Sequence, residues 1–372
     1  MRESSAAGAV ERVFPAFGGA AERLAFLLRF AVQAPSRHNT QPWIFDVDGD
    51  ELRVHADPAR ALPEADPAGR QLLMSCGAAV ANLGLAAAHF GHATSVEVVP
   101  APRPDGLVAR VRLGERRAST PEREELFRAI PLRRTNRLPL DGREPPDGLV
   151  TALVREARRN GAWLRPVETH ERAPVAELVA EGDRLQWSSA RFRSELARWS
   201  RPNGTRSRDG LPGYALGLGD AAALVHPLLV RLRARGLQEA ERDRRRAISC
   251  RALLVLSTRG DGQAEWFAAG EALQRVLLRA AASGLYASYF TQPVEHPDLR
   301  RRLCEVLAGP GAPQLLVRLG YGLDVRPVPR RSVGEVLRRF EAVGPGIEAL
   351  ARRVAPSAAE AAPGSAVHSP LH

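Results

Sequence analysis

The stretch Ala34–Trp43, which reads Ala-Pro-Ser-Arg-His-Asn-Thr-Gln-Pro-Trp, decides the fold. It follows an apolar run at 24–32 that has helical character and precedes a strand-like run at 44–47. Because the residue before a proline is pushed out of the helical region, the helix should end near Ala34. The short or planar polar side chains that follow predict a loop on a rigid scaffold that binds a planar, hydrogen-bonding ligand. An Asn/Ser-rich turn closed by a packed tryptophan is the alternative.

The composition limits both the size and the chemistry of the protein. With 372 residues the chain is long enough for two domains or one large one. All 53 of its cationic side chains are arginine, which excludes mechanisms that need a lysine, such as a Schiff base or a P-loop lysine. The net charge of +11 could indicate nucleic-acid binding, but only 5% of residues are aromatic and the arginines are spread along helices. A solvated basic surface without a nucleic-acid partner is the better prediction, and salt-dependent retention on DNA would distinguish the two.

Cysteine usage and hydropathy indicate a cytoplasmic protein. Cys76, Cys250 and Cys304 are far apart and odd in number, which argues against a disulfide framework. No zinc-ligand spacing is present, so we predict no metal site. The first 20 residues lack a signal peptide's pattern and no apolar run approaches about 20 residues, so we expect no membrane association.

The chain divides into a lead-in (1–19), a first lobe (20–120), a second lobe (121–354) and a disordered Ala/Pro/Ser-rich tail (355–372). Periodicity predicts helices at 20–33, 69–91, 121–130, 145–160, 171–199, 264–284, 296–308 and from about 333 to 353. It predicts strands at 44–47, 52–55, 95–99, 107–113, 162–167, 252–257, 286–290 and 314–319. The Gly/Pro/Arg-rich segment 200–220 has no regular period, which is typical of a lid or of disorder.

One internal similarity indicates a duplication. Residues 77–91 align without gaps on residues 270–284, at an offset of 193. Both stretches are helical, with an early glycine, a leucine near the middle and an Ala-Ala run before a closing glycine. We predict two copies of one domain that share a core helix, with chance similarity between two Ala-rich helices as the alternative.

A cluster of arginines forms the second candidate site. Arg133, Arg134 and Arg137 flank Thr135, and guanidinium forks with a hydroxyl donor are suited to bind phosphate. Arg330 and Arg331 offer a second pair. Ser36 and His38 lie close together, but no acid is placed to complete a triad, so hydrolysis is disfavoured and we predict no catalytic side chain.

These motifs resemble a known family. The loop Ala34–Trp43 is similar to the APSxxNxQPW segment of the FMN-dependent nitroreductases, and Arg133–Arg137 is similar to their RRSxR phosphate clamp. Residues 313–320 and 329–336 resemble the closing strand, arginine pair and last helix of that family. Here the clamp follows the loop, an order that resembles the Acg branch, a twin nitroreductase-like subfamily. The resemblance covers roughly residues 20–345.

The resemblance implies an α/β (α+β) nitroreductase fold, duplicated within one chain to form a pseudo-dimer. Ordinary members are homodimers that bind each FMN between the clamp of one subunit and the loop of the other. Here the first copy has only the loop and the second has only the clamp, with the missing loop expected near 226–229. The resemblance therefore implies one FMN per chain, at the lobe interface of a monomeric pseudo-dimer that could associate further.

The resemblance also assigns cofactor-binding residues. Arg133, Thr135, Arg137 and Arg331 would bind the phosphate, with Arg134 and Arg330 beside them. Within the loop motif, which includes Pro35 and Gln41, the residues Ser36, Arg37 and Asn39 would meet the ribityl chain or the ring edge. Thr291, Gln292 and Pro293 match the segment whose backbone approaches flavin N5. The family's asparagine near N1 has no clear counterpart.

Two functions follow from the resemblance. The first is an oxidoreductase that passes hydride from NAD(P)H through FMN N5 to nitro compounds or quinones. The alternative is a flavin-sequestering protein in which a lid, expected at 200–220, keeps electron donors out.

Overall fold

Two β-sheets organise the molecule, for which a computed structural model describes residues 14–101, 103–232 and 236–341. The helices are α1 Ala20–Ala31, α2 Arg70–His89, α3 Pro121–Ala129, α4 Leu149–Arg159, α5 Thr169–Ser188, α6 Ala190–Trp199, α7 Asp220–Leu232, α8 Gly236–Ser249, α9 Gln263–Ala282, α10 Gln292–Glu295, α11 Pro297–Leu307 and α12 Val333–Val336. The strands are β1 Trp43–Asp48, β2 Glu51–Ala56, β3 His92–Val98, β4 Leu107–Arg116, β5 Ala162–Pro166, β6 Ser200–Arg201, β7 Leu211–Pro212, β8 Ala252–Thr258, β9 Tyr286–Phe290, β10 Ala312–Gly320 and β11 Leu337–Glu341.

The two sheets repeat one topology. The first has the order β11-β1-β2-β4-β3 and the second has the order β5-β8-β10-β9. Apart from β11, both are antiparallel throughout, and a long helix joins the second strand to the edge strand: α2 in the first copy and α9 in the second. The α/β class and the duplicated arrangement predicted from the sequence are thus present in the fold.

The first sheet is built on the predicted hairpin of β1 and β2. Its turn contains Gly49, whose positive φ of 60° favours glycine. Alternate β1 residues Trp43, Phe45 and Val47 are completely buried against α1 and α2. The period of two along the strand therefore selects which face meets the core.

The two long helices pack against each other through a reciprocal glycine contact. A Cβ at Gly77 of α2 would lie 2.1 Å from the backbone oxygen of Phe267, and a Cβ at Gly270 of α9 would lie 2.0 Å from that of Met74. Gly77 and Gly270 are equivalent at the 193-residue offset, and so are Met74 and Phe267. Such a contact is the kind made across a two-fold axis.

Helix α2 is also the one described helix that is long and apolar enough to cross a membrane, but 83% of its most apolar window is buried inside the protein. It is a core helix of the folded chain.

The chain ends in a strand that the sequence analysis assigned to a helix. After α12, residues 337–341 form β11, which pairs in parallel with β1 of the first sheet. The predicted helix to about 353 is therefore wrong over 337–341, and its remainder lies outside the described residues, as does the tail at 355–372. A segment placed within 121–354 thus completes the sheet of the first lobe.

The second copy carries a large insertion. Strands β1 and β2 are joined by the two residues Gly49 and Asp50, whereas the equivalent β5 and β8 are separated by α5 to α8 with β6 and β7. The predicted helix 171–199 is divided at Ser189, whose hydroxyl caps α6 by accepting from the Phe192 amide. Helices α7 and α8 were not predicted.

The insertion explains why the second-copy counterpart of the loop Ala34–Trp43 was expected at the wrong position, near 226–229. In the first copy residues 32–42 join α1 to β1, and in the second the two residues Asn160 and Gly161 join α4 to β5. The offset of 193 holds only after the insertion, so residues 226–229, where the counterpart was expected, lie in α7 instead. The second copy has a tight turn where the first has the loop.

Candidate functional site

The backbone of the predicted loop is strained. His38, Asn39 and Gln41 have φ values of 50°, 55° and 52°, a left-handed region that residues other than glycine rarely adopt. Each such residue costs of order 1–3 kcal/mol and persists only where its surroundings hold it. Strain of this kind concentrates at binding sites and fits the predicted role of the loop.

Two amide side chains hold the loop in this shape. Gln41 is fully buried, donates through Nε2 to the Arg208 oxygen at 2.8 Å and accepts through Oε1 from the Arg331 amide at 2.7 Å. Asn39 donates through Nδ2 to the backbone oxygens of Gly210 and Pro329, both at 3.0 Å. The loop therefore joins segment 200–220 to the end of the chain, and Gln41 shapes the loop rather than lining a cavity.

Five arginines surround a small cavity beside the loop, which we call the arginine chamber. Its volume is about 50 Å³, and among the described residues no carboxylate lines it. The five are Arg133, Arg134, Arg137, Arg326 and Arg330. Three come from the predicted clamp, and Arg326 was not predicted. This charge imbalance marks an anion site.

Among the described residues, the arginines of this chamber have no acidic partner. The side-chain Nε of Arg133 is buried without a partner, and Arg137 makes no hydrogen bond or ion pair within the described parts of the chain. Burial lowers the pKa of both. Burial, followed by repulsion from Arg133, Arg134 and Arg137, lowers the pKa of Arg330 to about 9. Because arginine stays protonated in proteins, these shifts reflect the cost of burying the charges and, after it, their mutual repulsion, both of which a bound anion would offset.

The adjacent Arg330 and Arg331 have different positions. Arg330 lines the chamber and donates to Asn39 Oδ1 at 2.9 Å. Arg331 does not line it, since its guanidinium donates to the oxygens of Gln41 at 3.1 Å and Glu335 at 2.6 Å. The Arg331 side chain fastens the loop to α12, and its assignment to the phosphate stays a prediction. Of this pair, Arg330 is the one at the site.

A larger cavity, the main chamber, lies next to the arginine chamber and shares lining residues with it. It has a volume of about 380 Å³, within the usual range for small-molecule sites. The residues common to both chambers are Pro35, Ser36, Thr135, Arg137 and Leu211. The two copies meet here, where Arg37 Nη1 of the loop donates to Thr291 Oγ1 at 2.8 Å.

The other predicted residues divide between lining and support. Thr291 and Gln292 line the main chamber and Asn39 lines the arginine chamber, whereas Pro293 is buried in α10 and lines neither. His38 also lines the main chamber, and burial with the charges of Arg37 and Arg137 lowers its pKa. No group of three metal-ligating side chains occurs in the described ranges.

Segment 200–220 is ordered and covers the main chamber with Leu211, Leu216 and Leu218. Asp209 attaches it to the first copy by accepting from Arg60 at 2.9 Å, and accepts within the segment from Arg201 at 2.8 Å. Although burial opposes it, these bonds and one from Ser207 lower the pKa of Asp209 to about 2. The segment therefore lines the main chamber, and its role as a lid stays a prediction.

Sequence comparison places the chain in a family. No family model matches it. A Mycobacterium tuberculosis protein named "Putative NAD(P)H nitroreductase" is 32% identical over 324 residues, which cover 85% of this chain and 91% of the relative. The chain belongs to the nitroreductase family. The M. tuberculosis nitroreductase acg is 29% identical over 320 residues, 83% of this chain and 93% of that protein. The resemblance to the Acg branch is thus confirmed, and the family is one of oxidoreductases.

The similarity to solved structures is weaker. The nitroreductase NfnB of Mycobacterium smegmatis in complex with NADPH is 15% identical, with a TM-score of 0.36 over 58% of this chain and 97% of that chain. Iodotyrosine deiodinase bound to FMN and 3-iodo-L-tyrosine is 14% identical, with a TM-score of 0.37 over 58% of this chain and 99% of that chain.

Proposed function

We propose that this chain is an FMN-dependent oxidoreductase that holds one FMN between its two copies and uses NAD(P)H to reduce nitro compounds or quinones. The observation that carries the proposal is the arginine chamber, which five cationic side chains and, among the described residues, no carboxylate line, and which adjoins a main chamber lined by the loop. A small anionic group joined to a larger planar one fits this pair of cavities. Flavin mononucleotide has that composition.

The residues of the two chambers would divide the cofactor between them. Arg133, Arg137 and Arg330 would hold the phosphate, where their unpartnered nitrogens would gain charge-assisted hydrogen bonds. Residues of the main chamber would hold the rest of the cofactor: Pro35, Ser36, Arg37, Thr291 and Gln292. When bound, FMN would carry hydride at N5 between NAD(P)H and the acceptor. The protein supplies orientation, positive charge and exclusion of water.

The proposal includes a single site per chain. The second copy joins α4 to β5 by Asn160 and Gly161, which leaves no room for a second loop of the kind formed by residues 32–42. Its clamp, Arg133–Arg137, faces the loop of the first copy. A monomeric pseudo-dimer with one flavin follows, and release and quantification of the flavin should give one per chain. Two per chain would refute the pseudo-dimer, and none would refute the cofactor.

The phosphate assignment is tested by Arg133→Ala and Arg137→Ala. Each removes a charge-assisted contact, so FMN affinity should fall roughly tenfold to a hundredfold, or about 1.5–3 kcal/mol. The matched control is Arg301→Ala, which removes the same charge from a side chain that is 65% exposed on α11. If both site variants hold FMN as tightly as the control, the clamp does not bind the phosphate.

Flavin storage is a second candidate, favoured by the fastening of segment 200–220 onto the loop. The Gly210 amide donates to the Asn39 oxygen at 3.2 Å, and Gly210 accepts from the Asn39 side chain. Anaerobic mixing of the flavin-loaded protein with NADPH or NADH distinguishes the candidates. Rapid bleaching, reversed by a quinone or a nitroaromatic, supports the reductase. Flavin that dithionite reduces but neither nucleotide does supports storage.

A further inference from the structure

Three buried side chains that line the main chamber have polar atoms without a hydrogen-bond partner among the described residues. Asp183, Gln186 and Gln292 line it but not the arginine chamber, and they are 4%, 6% and 9% exposed. Among the described residues, Asp183 Oδ2, Gln186 Nε2 and Gln292 Oε1 have no hydrogen-bond partner. A buried polar atom without a partner is costly, and three in one cavity indicate a ligand that supplies the missing bonds.

These side chains are held in place by tight packing. Asp183 and Gln186 lie three residues apart on one face of α5. Gln292 Nε2 donates to Asp183 Oδ1 at 2.8 Å, which leaves Oδ2 as the free oxygen. A Cβ at Gly182 would lie 2.6 Å from the Cβ of Gln292, so only glycine lets α5 approach α10 this closely. The carboxyl group is therefore fixed against Gln292, the residue after Thr291, which accepts from Arg37 of the loop.

The surroundings of Asp183 favour its protonated form near neutral pH. Burial, and then the negative charge of Asp243, raise its pKa to about 7. The hydrogen bond from Gln292 and the charges of Arg242 and Arg184 act in the opposite direction. The other charged residues and the histidines that line the main chamber are Glu239 and Arg246 of α8, Arg318 of β10, His226 of α7, and Arg37, His38 and Arg137.

We propose that Asp183 is the proton donor of the main chamber, and that Gln186 binds the same acceptor oxygen, which makes a quinone carbonyl the substrate group of this site. The proposal rests on the proposed function. In the reaction NAD(P)H, as reductant, gives up a hydride and is oxidised to NAD(P)⁺, and the quinone takes up the equivalent of that hydride and one proton. The O–H bond of Asp183 breaks, an O–H bond forms on the quinone oxygen, and the carboxylate regains a proton from water.

The direction of proton transfer agrees with acidity. A phenolic oxygen has a pKa of about 10. It therefore takes a proton readily from an acid whose pKa is about 7. A carboxyl group with an ordinary pKa would be ionised at neutral pH and could not donate. Raised carboxyl pKa values in a cavity are typical of functional acids.

The first test is an infrared titration, which does not depend on activity. Burial also raises the pKa of Glu271 to about 7 and that of Asp66 to about 6, so the Asp183 band is measured as the difference between the parent and Asp183→Asn. This difference band, at the carbonyl stretch of a protonated carboxylic acid, should be present at pH 5 and disappear with a midpoint near pH 7. In Asp243→Asn the midpoint should move to lower pH, because a negative charge that favours the protonated form is removed. The proposal would be overturned if this band were absent, or if its midpoint were the same in Asp243→Asn as in the parent.

The second test is steady-state reduction of a soluble benzoquinone. The parent rate should fall above the infrared midpoint, and Asp183→Asn should lower kcat at pH 6 by about 10²-fold, the usual effect of losing a general acid. Gln186→Leu should raise KM more than it lowers kcat. An Asp183→Asn protein that unfolds at the parent temperature yet reduces quinone at the parent rate would overturn the assignment. Lack of bound flavin would instead refute the proposed function, and the infrared titration would still test Asp183.

Discussion

The two copies of the repeated unit have the same strand order but different connections, and the candidate site lies where they differ. The first copy has the loop at 32–42 where the second has Asn160 and Gly161, and the second has the α5–α8 insertion where the first has Gly49 and Asp50. The shared helices α2 and α9 form the contact between the copies. Duplication thus supplied a rigid scaffold, and divergence of its connections produced one composite cavity.

The largest effect on stability is expected at the contact between α2 and α9, the helices that the two copies share. Gly77→Ala and Gly270→Ala each place a Cβ about 2 Å from a backbone oxygen of the other helix, and a backbone oxygen cannot move aside as a side chain does. Each variant should lower the free energy of unfolding by about 3 kcal/mol or more, measured by chemical denaturation. Similar losses at the two positions would support a two-fold relation between the copies.

A third glycine of the same helix is the control. A Cβ at Gly84 would lie 3.5 Å from the Thr94 hydroxyl, an ordinary contact. Gly84→Ala should therefore stabilise the protein by up to about 1 kcal/mol, because alanine favours the helix. If Gly77→Ala is tolerated as well as this control, the reciprocal contact is not what joins the copies.

The sequence predicted best those elements whose periodicity is local. The hairpin of β1 and β2 and the two long helices have clear periods of two and 3.6, and they form near the predicted bounds. Residues 337–341 were assigned to a helix because their strand conformation depends on pairing with β1, which is nearly 300 residues away in the chain. Helices α7 and α8 were not predicted, because segment 200–220 before them has no regular period from which the start of α7 could be located.

The sequence predicted which segments form the candidate site, but not which of their side chains face the cavities. The polar loop and the arginine clamp supply seven of the sixteen residues that line the arginine chamber, including three of its five arginines. Sequence could not show which of Arg330 and Arg331 faces the cavity, because adjacent side chains in an irregular segment have no fixed period. Asp183 belongs to no motif, and its environment arises only when α5 packs on α10.

Substitutions of Arg330 and Arg331 distinguish a role in FMN binding from a role in stability. Arg330→Ala should weaken FMN binding about tenfold to a hundredfold, because it removes a cation from the arginine chamber. It should change the stability of the flavin-free chain by less than about 1 kcal/mol, since relief of repulsion offsets the lost bond to Asn39.

Arg331→Ala should have the opposite pattern. It leaves the oxygens of Gln41 and Glu335 without their donor, which should destabilise the flavin-free chain by about 1–3 kcal/mol. Calorimetry with FMN and denaturation without it measure the two quantities. Equal effects of both substitutions on FMN affinity would contradict the assignment of Arg330 alone to the chamber.

The smallest effect is expected where the insertion of the second copy is tied to the loop of the first. Asp209→Asn removes the charge that holds Arg60 and Arg201, and partly exposed ion pairs contribute about 1 kcal/mol or less. Because the pKa of Asp209 is lowered from 3.8 to about 2, its contribution is complete above pH 4 and is lost only as the pH falls through 2. At neutral pH, Asp209 is therefore ionised and its bonds to Arg60 and Arg201 are intact. The variant should accelerate flavin bleaching by NADPH several-fold if segment 200–220 limits access, whereas Asp48→Asn, which removes a carboxylate paired with Arg53 on the exposed hairpin, should not. Equal bleaching rates for both variants and the parent would show that this segment does not limit access to the flavin.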